Sequence, residues 1–174
     1  MDLTRDHYAL FGLPRRFAID VAELERLYRE VQGRVHPDKF AHAGDADKRL
    51  AMQLATQANE AYVTLKDPLR RARYLLELAG HDVHLETNTA MPVEFLVAQM
   101  ELREAVAAAK EDGDSAALDD LQRRLKKENR AEHATLQAAL DAGDHARAGE
   151  LVRQLMFQEK LLHEIGDALE VLET

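Results

Sequence analysis

Between positions 21 and 35 apolar side chains return every three or four residues. Val21, Leu24, Leu27, Tyr28, Val31 and Val35 share one side of a helical wheel, and Arg26, Arg29 and Arg34 lie on the other. The spacing predicts a helix with one core face and one solvent face. Asp20 is placed to cap it, and Glu23, three residues on, completes the pattern of a capping box. Gly33 costs about 1 kcal/mol relative to Ala inside a helix, so the last turn is expected to be weak or closely approached by a neighbour. Pro37 then ends the helix, because its ring pushes His36 out of the α region. A short helix is expected before it, over residues 6–11, stopped by Gly12 and Pro14. Beyond a loop through Lys39, Phe40 and Gly44, Leu50, Leu54, Ala58, Ala61, Tyr62 and Leu65 mark a third helix over 46–65. Asp67-Pro68 breaks the chain and restarts it as a further short helix over 69–79, closed by Gly80.

Residues 81–91 carry no apolar period, which places a linker at 80–91 between one unit at 1–79 and another at 92–174. In the second unit the pattern gives three long helices, over 92–111, 115–141 and 145–172. Their short connections, Asp112-Gly113-Asp114 and Gly143-Asp144, imply antiparallel neighbours. Gly-Asp-x-Ala occurs at both turns, an echo that glycine stopping one helix and aspartate capping the next would explain. The fold class expected is therefore all-α, a helical hairpin unit followed by an antiparallel three-helix bundle.

Two faces of that bundle are apolar. Phe95, Ala98, Leu102, Val106 and Ala109 suffice as the core stripe of the first long helix, while Leu96, Val97 and Met100 cluster elsewhere, edged by Glu101 and Glu104. In the last helix Leu151, Leu155, Leu162, Ile165 and Leu169 form the core stripe and leave Met156 and Phe157 off centre. Apolar groups outside a core stripe and beside charges mark either a partner site or a wide core face.

Composition narrows the class of function. The 174 residues are 46% apolar, contain no cysteine and carry a net charge of −9. Disulfides, thiol catalysis and thiolate metal sites are excluded, and the molecule as a whole repels nucleic-acid phosphate and anionic lipid. No apolar run is long enough for a membrane span, and the N-terminal residues lack the basic start of a signal peptide, so a cytoplasmic location is expected. The tightest histidine pair, His81-x-x-His84, lacks a third ligand, and no phosphate loop or nucleophile motif is present. The expectation is a binding protein with no enzymatic activity, no metal and no cofactor. Arg123, Arg124, Lys126 and Lys127 read as a solvated helix face.

The run Tyr28 to Lys39, YREVQGRVHPDK, sits where one helix ends and a loop begins. Taken alone, His-Pro-Asp could simply stop a helix. Its order of capped helix, tripeptide loop and second amphipathic helix resembles the J-domain, with Tyr28, Arg29, Arg34, His36, Pro37, Asp38 and Lys39 matching that pattern and Gly33 departing from it. Further segments narrow the resemblance: Asp6-His7-Tyr8-x-Leu10-Phe11-Gly12-Leu13-Pro14, Pro68-Leu69-x-Arg71-Ala72-x-Tyr74-Leu75-Leu76, and Phe95-Leu96 with Glu101-Leu102-Arg103-Glu104 are similar to the HscB family of iron-sulfur co-chaperones. That resemblance implies two partners, a DnaK/HscA-type ATPase of the seventy-kilodalton heat-shock class and the iron-sulfur scaffold protein IscU. It implies that His36, Pro37, Asp38 and Lys39, with Arg29 and Arg34 on the preceding helix, meet the chaperone, and Arg26, on the same face away from the apolar stripe, is expected to join them. It places the client on Leu96, Val97, Met100, Glu101, Glu104 and Phe157. The alternatives are a J-domain protein with another client, and a helical scaffold that self-associates through the Leu96, Met100 and Phe157 surface.

Overall fold

A computed structural model describes residues 6–81 and 91–172. All regular structure among them is helical: α1 (His7–Phe11), α2 (Val21–Arg34), a 3₁₀ turn (Pro37–Phe40), α3 (Asp45–Lys66), α4 (Pro68–Leu78), α5 (Val93–Glu111), α6 (Ser115–Asp141) and α7 (His145–Leu172). The chain divides into two compact units, Met1–Leu78 and Ala79–Thr174. Most of the linker expected at 80–91 lies outside the described residues.

Helix ends follow local chemistry. Asp6 Oδ1 accepts from the Ala9 amide, and Asp20 Oδ1 accepts from the amides of Ala22 and Glu23. Only half of the expected capping box forms at Asp20, because both carboxylate oxygens of Glu23 are taken by Arg26. Asp114 and Asp144 cap α6 and α7 through the amides of Ala117 and Arg147. The residue before each aspartate, Gly113 or Gly143, takes a positive φ of 65° or 71° and closes the preceding helix. One glycine for the left-handed turn and one aspartate for the cap account for the repeated Gly-Asp-x-Ala.

In the first unit Tyr8, Phe11, Leu24, Val31, Ala58, Ala61 and Leu65 form the core, where α1, α2 and α4 pack on α3. A smaller cluster of Val35, Ala51 and Leu54 holds Phe40 at the far end of the α2/α3 hairpin. Two positions expected on the core face are not in it: Val21 is 38% and Leu50 40% exposed. Val21 stands at the first position of its helix, before the turns that pack on α3. At Leu50 the turn holding Phe40 packs on the next position, Ala51, so the core line passes one residue to the side. Phe17, in the α1–α2 connection, is buried although no periodicity marks it. Arg71 is also buried: its guanidinium lies 4.8 Å from the Phe17 ring centroid, and Nη1 donates to the Leu65 carbonyl at 2.6 Å. The end of α3 would otherwise leave that carbonyl without a donor.

The second unit is an antiparallel bundle of unequal helices. At about 1.5 Å per residue, the 19 residues of α5 reach roughly 28 Å and the 27 of α6 roughly 40 Å. α5 therefore covers one part of the α6/α7 pair. Where all three meet, Val106, Ala109, Leu118, Leu125, Leu161, Ile165, Ala168 and Leu169 are buried together. Toward the α6–α7 turn, Leu136, Ala139, Ala148, Leu151, Val152 and Leu155 are buried as well. α7 buries a wider arc than one stripe predicts, with Leu161 inside and Leu162 only half-buried. In α5 the expected stripe is displaced: Ala98 is exposed, Phe95 and Leu102 are half-buried, and Gln99 is buried.

Candidate functional site

His36 takes φ −60° and ψ 135°, the extended geometry that a following proline imposes. Its Nδ1 accepts from the Asp38 backbone amide at 3.3 Å and lies 3.5 Å from Asp38 Oδ2. With Nδ1 used as an acceptor, the neutral ring carries its proton on Nε2. The side chains of His36 and Asp38 are 58% and 92% exposed, so one donor and one carboxylate stand in solvent on the short turn between the buried Val35 and the half-buried Phe40 that anchor it. The tripeptide thus does more than stop α2; it displays its side chains from a braced tip.

The brace continues down the hairpin. Tyr28 and Tyr62 stack with ring centroids 4.2 Å apart. Gln32 donates to the Tyr28 hydroxyl, which donates to Asn59 Oδ1, while Lys66 donates to the Tyr62 hydroxyl, which donates to Glu25. These bonds tie α2 to α3 on the side of the hairpin where the apolar core stops.

The basic face of α2 is not a bare positive surface. Arg26 pairs with Glu23 at 2.7 Å and with Glu30 at 3.4 Å, Arg34 pairs with Glu30, and Arg29 lies 3.5 Å from Glu25. The hydrogen bond from Arg26, together with its charge, holds the Glu23 carboxyl below the usual range although slight burial opposes this. Exposed Lys39, beside Asp38, has no carboxylate within ion-pair reach among the described residues.

On the bundle, Leu96, Val97, Met100 and Phe157 are 40%, 48%, 63% and 39% exposed. Glu101 and Glu104 are exposed beside them. Phe95 meets the edge of Phe157 at 6.4 Å, and Arg103 reaches Glu164, so α5 and α7 carry this patch jointly. Val93 and Met156 are exposed apolar residues too, and Val93 escaped the sequence reading because it opens its helix. Among the described residues no group of three or more histidine or acidic side chains could hold a metal ion, and no helix is long and apolar enough to cross a membrane. His81 lies against the His145 ring at 4.4 Å, and His84 falls outside the described residues.

A braced hairpin that shows His-Pro-Asp, joined in one chain to a helical bundle, is the build of a J-domain co-chaperone. The model of the HscB C-terminal oligomerisation domain matches residues 91–166. The co-chaperone HscB homologue of Azoarcus sp. (strain BH72) is 55% identical, covering 99% of this chain and 98% of its own, and that of Cupriavidus taiwanensis is 54% identical over 98% and 97%. Among solved structures, HscB from Vibrio cholerae aligns with a TM-score of 0.86 and 38% identity over 97% of this chain and 99% of its own. Human HscB aligns with a TM-score of 0.89 and 30% identity over 95% and 83%. This chain belongs to the HscB co-chaperone family.

Proposed function

We propose that this protein is a cytoplasmic, non-enzymatic adaptor. It stimulates the ATPase of a DnaK/HscA-type chaperone through His36, Pro37 and Asp38, and it delivers an IscU-type scaffold protein bound to its C-terminal bundle, assisting iron-sulfur cluster assembly and transfer. The observation that carries this reading is the tip itself, with exposed His36 and Asp38 side chains on a turn pinned by Val35 and Phe40. An Nε2–H donor and a solvated carboxylate in fixed relation can recognise a partner surface; they form no nucleophile–base pair on this chain. The bond-breaking chemistry belongs to the partner. Lys39, beside the tip, stands in no ion pair among the described residues, and Arg26, Arg29 and Arg34 can join it by exchanging their present carboxylates for those of the chaperone. The client reading rests on Leu96, Val97, Met100 and Phe157, which the bundle leaves in water with Glu101 and Glu104 at the rim.

Single-turnover ATPase assays on the cognate chaperone test the first half. His36→Gln and Asp38→Asn should each reduce stimulation to the unstimulated rate while circular dichroism and scaffold binding stay as in the wild type. Undiminished stimulation by either folded variant would overturn the mechanism.

A further inference from the structure

The α5 helix has a second flank. Opposite the side it shares with α7, α5 and α6 enclose an open groove of about 330 Å³ with Leu102, Leu121 and Leu125 along its floor. Glu101, Arg124 and Glu128 line it as well. Arg124 and Glu128 are exposed and stand in no ion pair among the described residues, and the same holds for Glu101. Gln99 also lines the groove, is 8% exposed, and has a buried Oε1 that receives no hydrogen bond. A buried acceptor without a donor costs free energy that an apolar side chain of the same shape would not cost. The sequence has nonetheless placed glutamine on the inner line of α5, where the apolar period predicted alanine one position away.

We infer that this groove receives a basic side chain of the client protein, a lysine or arginine. The chemistry selects that occupant. Its methylene stem suits the leucine floor, its head can reach the Glu101 and Glu128 carboxylates, and a turn of the Gln99 amide toward the groove would let its N–H groups supply the donor that the shielded Oε1 lacks. An apolar side chain would leave Gln99 unpaired and would desolvate the rim charges. Two carboxylates against one arginine also leave the groove with a net negative rim. Glu101 belongs both to the groove and to the border of the Leu96, Val97 and Met100 surface, so a client seated on that surface lies next to the groove and can grip α5 from both flanks.

The inference rests on the client reading above, and calorimetric titration of the full chain with the purified IscU-type scaffold protein separates the two. Glu128 stands on α6, away from the α5/α7 patch. Glu128→Lys should weaken binding on the order of tenfold, the loss expected for one charge-assisted contact. Gln99→Leu should weaken it severalfold and at the same time raise the melting temperature, opposite movements that a purely structural residue would not produce. The triple variant with Leu96, Met100 and Phe157 changed to Ala serves as the comparison and should show no measurable binding. If the triple variant fails to bind while Glu128→Lys and Gln99→Leu bind like wild type, the groove is overturned and the patch stands. If the triple variant binds like wild type and the groove variants do not, the patch fails and the groove remains. A change in the sedimentation of Glu128→Lys alone, with client affinity unaltered, would give the groove to a second copy of the chain and overturn the inference.

Discussion

Glu132 shows how a single residue can work against its own bundle. Set on α6 and half-buried, it accepts from Gln158 Nε2 at 2.7 Å through one oxygen while the other, Oε2, is buried without a partner. Burial pushes its carboxyl above the usual range; Gln158, Arg147 and His133 oppose this, and the neighbouring Glu128 adds to it. The folded chain therefore holds this proton more tightly than the unfolded chain. Its contribution to stability is fully present below the ordinary glutamate value and falls as pH rises from there to the raised folded value. Glu132→Gln keeps an acceptor for Gln158 and removes the titration. It should raise the melting temperature by a few degrees at pH 7 and by less at pH 4, as followed by thermal melts across that range. An equal shift at both values would mean that Glu132 is not the group responsible. Arg71 is a second buried charged group: Nη1 donates to the Leu65 carbonyl and the guanidinium faces the Phe17 ring, while Nε is buried without a partner. Neither partner could be read from the sequence, because one lies in a connection without periodicity and the other is a backbone atom.

At the scale of elements, helix ends were legible and helix faces less so. The expected 115–141 and 145–172 coincide with the observed α6 and α7, and α5 begins one residue later than expected, because Asp caps and positive-φ glycines act within a few residues of themselves. Faces depend on what packs there. The α5 stripe moved from Ala98 to Gln99, and Leu50 fell outside the core, once neighbouring elements set the contact line. Gly33 resolves an alternative left open by the pattern. A Cβ there would meet nothing within 4 Å, so no close neighbour requires glycine. Gly33→Ala should stabilise the first unit by about 0.5–1 kcal/mol through the backbone alone. Urea unfolding measures it, and a loss of stability would show that the last turn of α2 needs the freedom glycine gives.

At the scale of the whole molecule, a net charge of −9 makes any contact with an acidic chaperone surface depend on locally available cations. The α2 arginines are held by Glu23, Glu25 and Glu30, and Glu25 is shared with Lys66 at 3.3 Å. Each must leave a carboxylate to meet a partner, whereas Lys39 need not. Lys39→Gln should therefore raise the chaperone concentration needed for half-maximal ATPase stimulation more than Arg26→Gln does, with Arg29→Gln between them. Added salt should weaken the wild type, since exposed charges are screened over about 10 Å at 0.1 M. The reverse order of the variants, or indifference to salt, would shift the electrostatic contact away from the tip. Capping, proline geometry and apolar period are local, so the all-helical class, the helix ends, the tripeptide loop and the position of Leu96, Val97, Met100 and Phe157 outside the core stripes were legible in the chain alone. Packing of the folded chain settles which arginines are already paired, that Arg71 closes the end of α3, and that Gln99 lies buried beside a groove. Those outcomes depend on residues far apart in the chain or on side chains choosing between nearby partners, and no periodicity encodes that choice.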